Sequence, residues 1–209
     1  MSVNDDRPLA AIADPAPLGL AAFALTTFLF SAFNAGWMTK GSGLAFLGYA
    51  FAYGGLCQLL AGMWEFRNRN VFGATAFSSY GGFWIGLGLY IKFTGLGLLA
   101  NPKTVTLFTQ DAGWISLAFA IFNVYMLIWS TQVNMAVFGV FLTLQLTEIL
   151  LAIGNFSNDA TGHGVLRIGG YVGVLTAFVA WYTSSAGVAN GMGGRLRVPV
   201  GKPIIGPRV

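Results

Sequence analysis

The chain reads as long apolar runs separated by short polar clusters. Residues 18–37 are 20 positions without a charge, roughly 30 Å of helix at 1.5 Å rise per residue and about the thickness of a bilayer core. Comparable runs occupy residues 44–64, 71–91, 112–129, 133–153 and 164–188. The pattern predicts six membrane-spanning helices, the fourth and fifth joined as a tight hairpin. Asp14 can cap the first helix, with Pro15 and Pro17 in its first turn, where a missing N–H costs nothing. Residues 92–111, which hold Asn101, Pro102 and Lys103, read as a surface loop with room for a short interfacial helix. Residues 155–163 read as a polar loop, and 191–209, rich in Gly, Pro and Arg with no helical period, as a loosely ordered tail. The chain therefore divides into an N-terminal tail (1–13), a six-span domain (14–190) and a C-terminal tail (191–209).

Composition narrows the class. With 56% hydrophobic and 9% charged residues and a mean hydropathy of +0.69, too few charges remain to clothe a soluble surface, so the chain is an all-α integral membrane protein. The net charge is +4, but four of the eleven basic residues (Arg195, Arg197, Lys202 and Arg208) crowd the C-terminal tail. A juxtamembrane basic tail reads as contact with anionic lipid and as a topology signal, and nucleic acid is not the expected partner. The single Cys57 allows neither an intrachain disulfide nor a cysteine metal cluster, and no metal or cofactor motif is evident. Residues 1–13 carry Asp5 and Asp6 and no separate apolar segment, so the first span is expected to stay in the mature protein. Seven basic residues (Arg7, Arg67, Arg69 and the four of the tail) fall on the side of the termini, and four (Lys40, Lys92, Lys103 and Arg167) on the other. Both termini are expected in the cytoplasm of a plasma (inner) membrane protein.

The first span contains Thr26, Thr27, Ser31 and Asn34. Polar side chains in lipid are unfavourable unless they face protein, water or a solute, so they point to a lined path. The residues around it carry a resemblance. Asp14, Pro15, Ala16, Pro17, Leu18 and Gly19, continuing to Leu20 (DPAPLGL), resemble the NPAPLG signature of the acetate uptake transporter family, the succinate-acetate permease type with fungal acetate and ammonia-related relatives. Tyr53-Gly54-Gly55, Gln58, Ala61-Gly62, Glu65, the run FGATAFSSYGGFW over 72–84, and LAIGN over 151–155 match it in order and spacing, so the likeness covers all six spans.

That resemblance implies a homohexamer with a separate pathway for a small monocarboxylate in each protomer, as an anion channel or a proton-coupled transporter. It also implies a Phe, Tyr and Leu constriction, at the matching positions Phe23, Tyr80 and Leu144. All three lie on odd-numbered helices, 8, 9 and 11 residues from Pro15, Val71 and Val133, roughly 12 to 17 Å of rise and hence one level of the membrane. No Lys or Arg falls in the middle of any span. Selectivity must then come from hydroxyl and amide donors, from helix N-termini, or from passage of the neutral acid. Thr26, Asn34, Gln58, Thr75 and Ser79 are the candidate substrate-binding donors; the alternative for each is hydrogen bonding between helices.

Two positions depart from the family. Asp14 replaces the signature's Asn and puts a carboxylate near the inner mouth. Glu148 stands where the family is generally apolar, one turn from Leu144 on the same face, and is the candidate for pH tuning; the alternative is a protonated Glu bonded between helices or protomers. Glu65 is expected to end the second span and hold Arg67 or Arg69. A weak internal echo pairs Phe33-Asn34 with Phe122-Asn123 and Leu60-Ala61 with Leu151-Ala152. The Gly82/Gly86 and Gly169/Gly173 spacings read as close helix packing.

Other functions compete. An intramembrane serine hydrolase would use Ser42 with His163 as base, but no third orienting group is visible. Ammonia or another small solute could use the same path. A water or glycerol channel needs paired NPA half-helices; beside Asp14-Pro15-Ala16 only Asn101-Pro102-Lys103 is available. Asn155-Phe156-Ser157 fits a glycosylation acceptor but abuts a span.

Overall fold

In the computed structural model, residues 12–38, 45–101 and 103–206 are described. The expectations for Asp5, Asp6, Arg7, Lys40, Ser42, Pro102 and Arg208 fall outside them. Among the described residues six helices are long and apolar enough to cross a membrane: α1 (Ala16–Asn34), α2 (Ala45–Arg67), α3 (Val71–Ala100), α4 (Val105–Ser130), α5 (Met135–Phe156) and α6 (Gly164–Gly191). The polar residues bounding the apolar runs serve as caps. Asp14 Oδ1 accepts from the Ala16 N–H at 2.9 Å, Asn70 Oδ1 from Gly73 at 3.1 Å and Asn134 Oδ1 from Val137 at 2.9 Å. Asp159 Oδ2 takes the Val165 and Leu166 N–H groups at 2.6 and 3.2 Å. Each satisfies donors that a helix start leaves without a partner.

Two helices widen into π turns, α2 at Ala52–Cys57 and α3 at Ile91–Gly95. The second corrects the loop expected over 92–111. The helix runs on through Lys92 to Ala100 and, after a short turn, α4 starts at Val105. Lys92 interrupts the hydropathy, but its side chain is exposed, so the charge stays out of the packed interior. The π turn accommodates the extra residue without breaking the helix. At 30 residues, or roughly 45 Å, α3 outreaches a bilayer core.

α1 packs along α6, α6 along α5, α5 along α4, and α3 along α2, whereas the α3 and α4 backbones stand apart and are bridged by long side chains such as Tyr80 against Phe119 and Phe122. The α1–α6 contact needs glycine. A Cβ on Gly170 would lie 2.3 Å from the Ala35 backbone nitrogen, and one on Gly173 would lie 2.2 Å from Ser31 Oγ. A Cβ on Gly82 or Gly86 would meet no described residue within 4 Å. Instead of the tight packing expected of them, they line an open groove of about 570 Å³ along the α3–α4 seam.

Both ends of the described chain lie at one end of the bundle, where Ser184 Oγ donates to Pro17 O at 2.7 Å. The C-terminal tail is held there and is not loose. The Ala136 N–H donates to Val200 O at 2.9 Å, and the Ile204 N–H to Thr131 O at 2.8 Å. The Asn190 amide exchanges two bonds with the Val198 backbone at 2.9 and 3.0 Å, and the Tyr182 hydroxyl donates to Pro199 O. The tail thus uses backbone groups that the α4–α5 turn leaves free.

Candidate functional site

Residues on α1, α3 and α5 meet in the middle of the bundle because the odd helices start from the same end. Phe23, Tyr80 and Leu144 are buried and together border a small cavity of about 20 Å³, room for little more than one water. The Phe23 and Tyr80 rings meet edge to face, centroids 5.8 Å apart. Phe119 and Phe122 of α4 close round Tyr80 at 5.7 and 5.4 Å, sealing the seam where α3 and α4 diverge. Towards the terminal end the same apolar cluster continues through Leu20, Phe77, Val140 and Phe141. Gln58 also borders the small cavity, and its Oε1 has no hydrogen-bond partner among the described residues.

On the far side of this neck lies a cavity of about 310 Å³, reaching from Glu148, Phe83 and Phe119 out to Asp159 and Thr161. Asn34 and Asn155 line it, and Asn34 Nδ2 has no partner among the described residues. At its inner end the Tyr80 hydroxyl lies 3.0 Å from Asn123 Oδ1 and 3.2 Å from Glu148 Oε1. Asn123 Nδ2 donates to Phe141 O and to Gln145 Oε1, both at 2.9 Å, and Gln145 Nε2 donates to Ala120 O at 3.2 Å. A polar network spanning α3, α4 and α5 thus stands directly over the apolar neck, inside the protein, where each such bond is stronger than in water.

The other candidates scatter. Thr26 is fully buried against α2, its hydroxyl donating to Ala22 O at 3.1 Å and lying 3.5 Å from Tyr49 O. A Cβ on Gly54 would come within 2.4 Å of that hydroxyl, so Thr26 fills an α1–α2 contact. Ser79 lines the outer groove on the α3–α4 seam, and Thr75, half-buried, borders none of the three spaces. Glu65 holds neither Arg67 nor Arg69, which are exposed. It is fully buried, and its Oε2 accepts from Asn68 Nδ2 at 3.2 Å. Burial at the α2–α3 turn favours the neighbouring amide over a charge that reaches water. Asp14 is exposed at the terminal end, and His163 is exposed at the start of α6. Asn123 and Gln145 join the polar network without being named by the sequence reading, although each is an amide inside an apolar run, as Asn34 and Gln58 are.

Three likenesses bear on this arrangement. The sequence model of the family described as GPR1/FUN34/yaaH matches residues 4–202. Acetate permease A of Emericella nidulans is 41% identical over 195 residues, 90% of this chain and 65% of that protein, so the chain spans about two thirds of the fungal permease's length. The succinate-acetate/proton symporter SatP of Escherichia coli is 32% identical over 191 residues, covering 91% of this chain and 96% of the symporter. The solved structure of the bacterial acetate channel SatP superposes with a TM-score of 0.79 at 32% identity, over 91% of this chain and all (100%) of that one.

Proposed function

Because the chain belongs to the GPR1/FUN34/yaaH family, we propose that it carries acetate and similar short monocarboxylates across a membrane, through its own neck at Phe23, Tyr80 and Leu144. The observation that carries this reading is the convergence of those three side chains beneath a 310 Å³ cavity in a six-helix chain of this family. An apolar neck about one water wide selects small solutes by size and by how readily they shed water. With no Lys or Arg lining it, the species crossing is the neutral acid, to whose hydroxyl the free Gln58 Oε1 offers an acceptor, or an anion held by a neutral donor such as Asn34, whose Nδ2 is buried without a partner among the described residues. The names of the relatives, a permease, a proton symporter and a channel, support transport over catalysis.

Glu148 faces the cavity side of the neck. Protonated, it leaves the cavity end of the neck neutral, its one hydrogen within reach of the Tyr80 oxygen; ionised, it repels a passing carboxylate. It therefore tunes transport to pH. The exposed apolar surface of α4, including Trp114, Ile121 and Ile128, suits lipid or neighbouring copies in a homohexamer. Both termini are assigned to the cytoplasmic face of the plasma membrane from the bias of basic residues. Labelled-acetate uptake into proteoliposomes under an imposed acetate or proton gradient tests the reading. The two gradients separate channel from symporter. Uptake no faster than into empty liposomes, from folded protein, refutes both; a methylammonium flux in its place would favour ammonia as solute.

A further inference from the structure

We infer that Asn123 is a positioning residue for the neck: by fixing where the one hydroxyl hydrogen of Tyr80 points, it holds Glu148 as a neutral acid that donates to the Tyr80 oxygen. What this coupling controls rests on the transport reading above; the proton assignment itself rests on geometry. Asn123 is fully buried, and its two amide hydrogens go to Phe141 O and Gln145 Oε1 at 2.9 Å each. Gln145 cannot turn its own amide round, because Nε2 is committed to Ala120 O at 3.2 Å. Flipping Asn123 would set its Oδ1 against two acceptors. The amide therefore has one orientation, with Oδ1 towards the Tyr80 hydroxyl at 3.0 Å, and that oxygen can only accept.

A phenol has one hydrogen. Given to Asn123, it leaves the 3.2 Å contact between the Tyr80 oxygen and Glu148 Oε1 without a hydrogen unless Glu148 supplies it. Glu148 Oε2 is buried with no partner among the described residues, so an ionised carboxylate there would stand without a compensating donor. Nor does another titratable group face it from the packed helices. α1 has none. On α4, Asp111 is bonded to Tyr90 of α3 at 2.7 Å, and Tyr125 is half-exposed. On α6, Arg167 and Tyr171 pair with each other at 2.9 Å, and Tyr182 bonds the tail. Asp159, at the outer rim of the same cavity, is engaged by the α6 N–H groups.

Ionisation of Glu148 releases its proton into the distal cavity. The phenol hydrogen then turns from Asn123 Oδ1 to Glu148 Oε1, and the bond that orients the Tyr80 ring against Phe23 is lost. The charge of Glu148 and the geometry of the neck are thereby linked through Asn123.

Infrared spectra of the purified full chain across pH test this without transport. The carbonyl stretch of a protonated carboxyl is assigned to Glu148 by its absence from Glu148→Gln. At neutral pH the wild type should show that band. Asn123→Val frees the phenol hydrogen for the carboxylate, and should move the loss of the band to lower pH by about one unit, the worth of one charge-assisted hydrogen bond. The pH profile of labelled-acetate uptake should move with it. In a Tyr80→Phe background Asn123→Val should add no shift, since Asn123 acts through the phenol; a packing role alone would change stability and leave the titration where it was. If Asn123→Val does not fold, Gln145→Leu, which unlocks the amide, should shift the band in the same direction. A wild type without the band at neutral pH, an unshifted band in the variant that folds, or an equal shift in the Tyr80→Phe background overturns the inference. A band that shifts as expected in protein that moves no acetate refutes the transport reading and leaves the proton assignment standing.

Discussion

Replacing Leu144 by Ala should open the neck to larger acids. Leu144 is buried among Phe23, Tyr80, Phe141 and Gln58 around a cavity of about 20 Å³, so the three carbons lost enlarge a space that now holds about one water. At about 0.8 kcal/mol per buried carbon the transfer loss is about 2.4 kcal/mol, and the cavity left behind brings the cost into the range of about 2–5 kcal/mol. The variant must therefore be checked for an unchanged elution profile before its flux is read. A close-fitting apolar site discriminates one extra group by about 1–3 kcal/mol, or roughly 10- to 200-fold. Relieving that restriction should raise the ratio of lactate to acetate uptake by about tenfold or more. The assay is parallel uptake of labelled acetate and labelled lactate into the same proteoliposomes. A folded variant with the wild-type ratio would show that Leu144 does not set the width of the path.

Three further outcomes are expected. Glu148→Gln keeps a donor towards Tyr80 and removes titration, so after correction for the concentration of acetic acid its uptake should persist at high external pH better than that of wild type; superimposable corrected profiles would make Glu148 a packing residue. Gly170→Ala should lower the thermal unfolding temperature in detergent, since its Cβ would sit 2.3 Å from the Ala35 nitrogen and backbone cannot swing aside. Overpacking of this kind costs about 1–3 kcal/mol, and an unchanged melting curve would contradict the α1–α6 contact. Asn190→Ala removes both bonds to Val198 and should speed tryptic cleavage at Arg195 and Arg197; equal cleavage rates would mean the tail is held by its other contacts alone.

What was legible in the sequence follows from which physical signals are periodic. Six uninterrupted apolar runs are a strong signal because the bilayer leaves few ways to satisfy a backbone, and the six helices sit where the runs lie. Over 92–111 Lys92 and the Asn101 turn break the hydropathy, yet a π turn lets the helix carry its cation on an exposed edge. The tail escaped because its pairing with Thr131 and Ala136 is backbone to backbone and leaves no side-chain period. Site residues divided similarly. Phe23, Tyr80 and Leu144 are named by their motif positions, and that they border one small cavity follows from counting along helices that start at one end. Thr75 and Ser79 carry the same hydroxyl signal as Thr26, yet Thr26 is buried against α2 and Ser79 lines the outer groove, because a hydroxyl inside an apolar run does not tell which neighbour its helix face will meet. Asn123 and Gln145 stand out in the sequence only as amides inside apolar runs; that they bond across helices is a relation that spacing along the chain does not encode.

The central claim, that acetate passes through the neck of the protomer, is tested most directly by plugging it. Labelled-acetate uptake should be measured in liposomes holding equal amounts of wild-type protein and of Leu144→Trp, beside empty liposomes. The added ring atoms exceed the roughly 20 Å³ free at that level. Wild-type uptake well above the empty liposomes, with Leu144→Trp reduced to the empty rate at an unchanged elution volume, is the result expected. Equal uptake by the two folded proteins would put the path elsewhere, and wild-type uptake at the empty rate would contradict the account altogether.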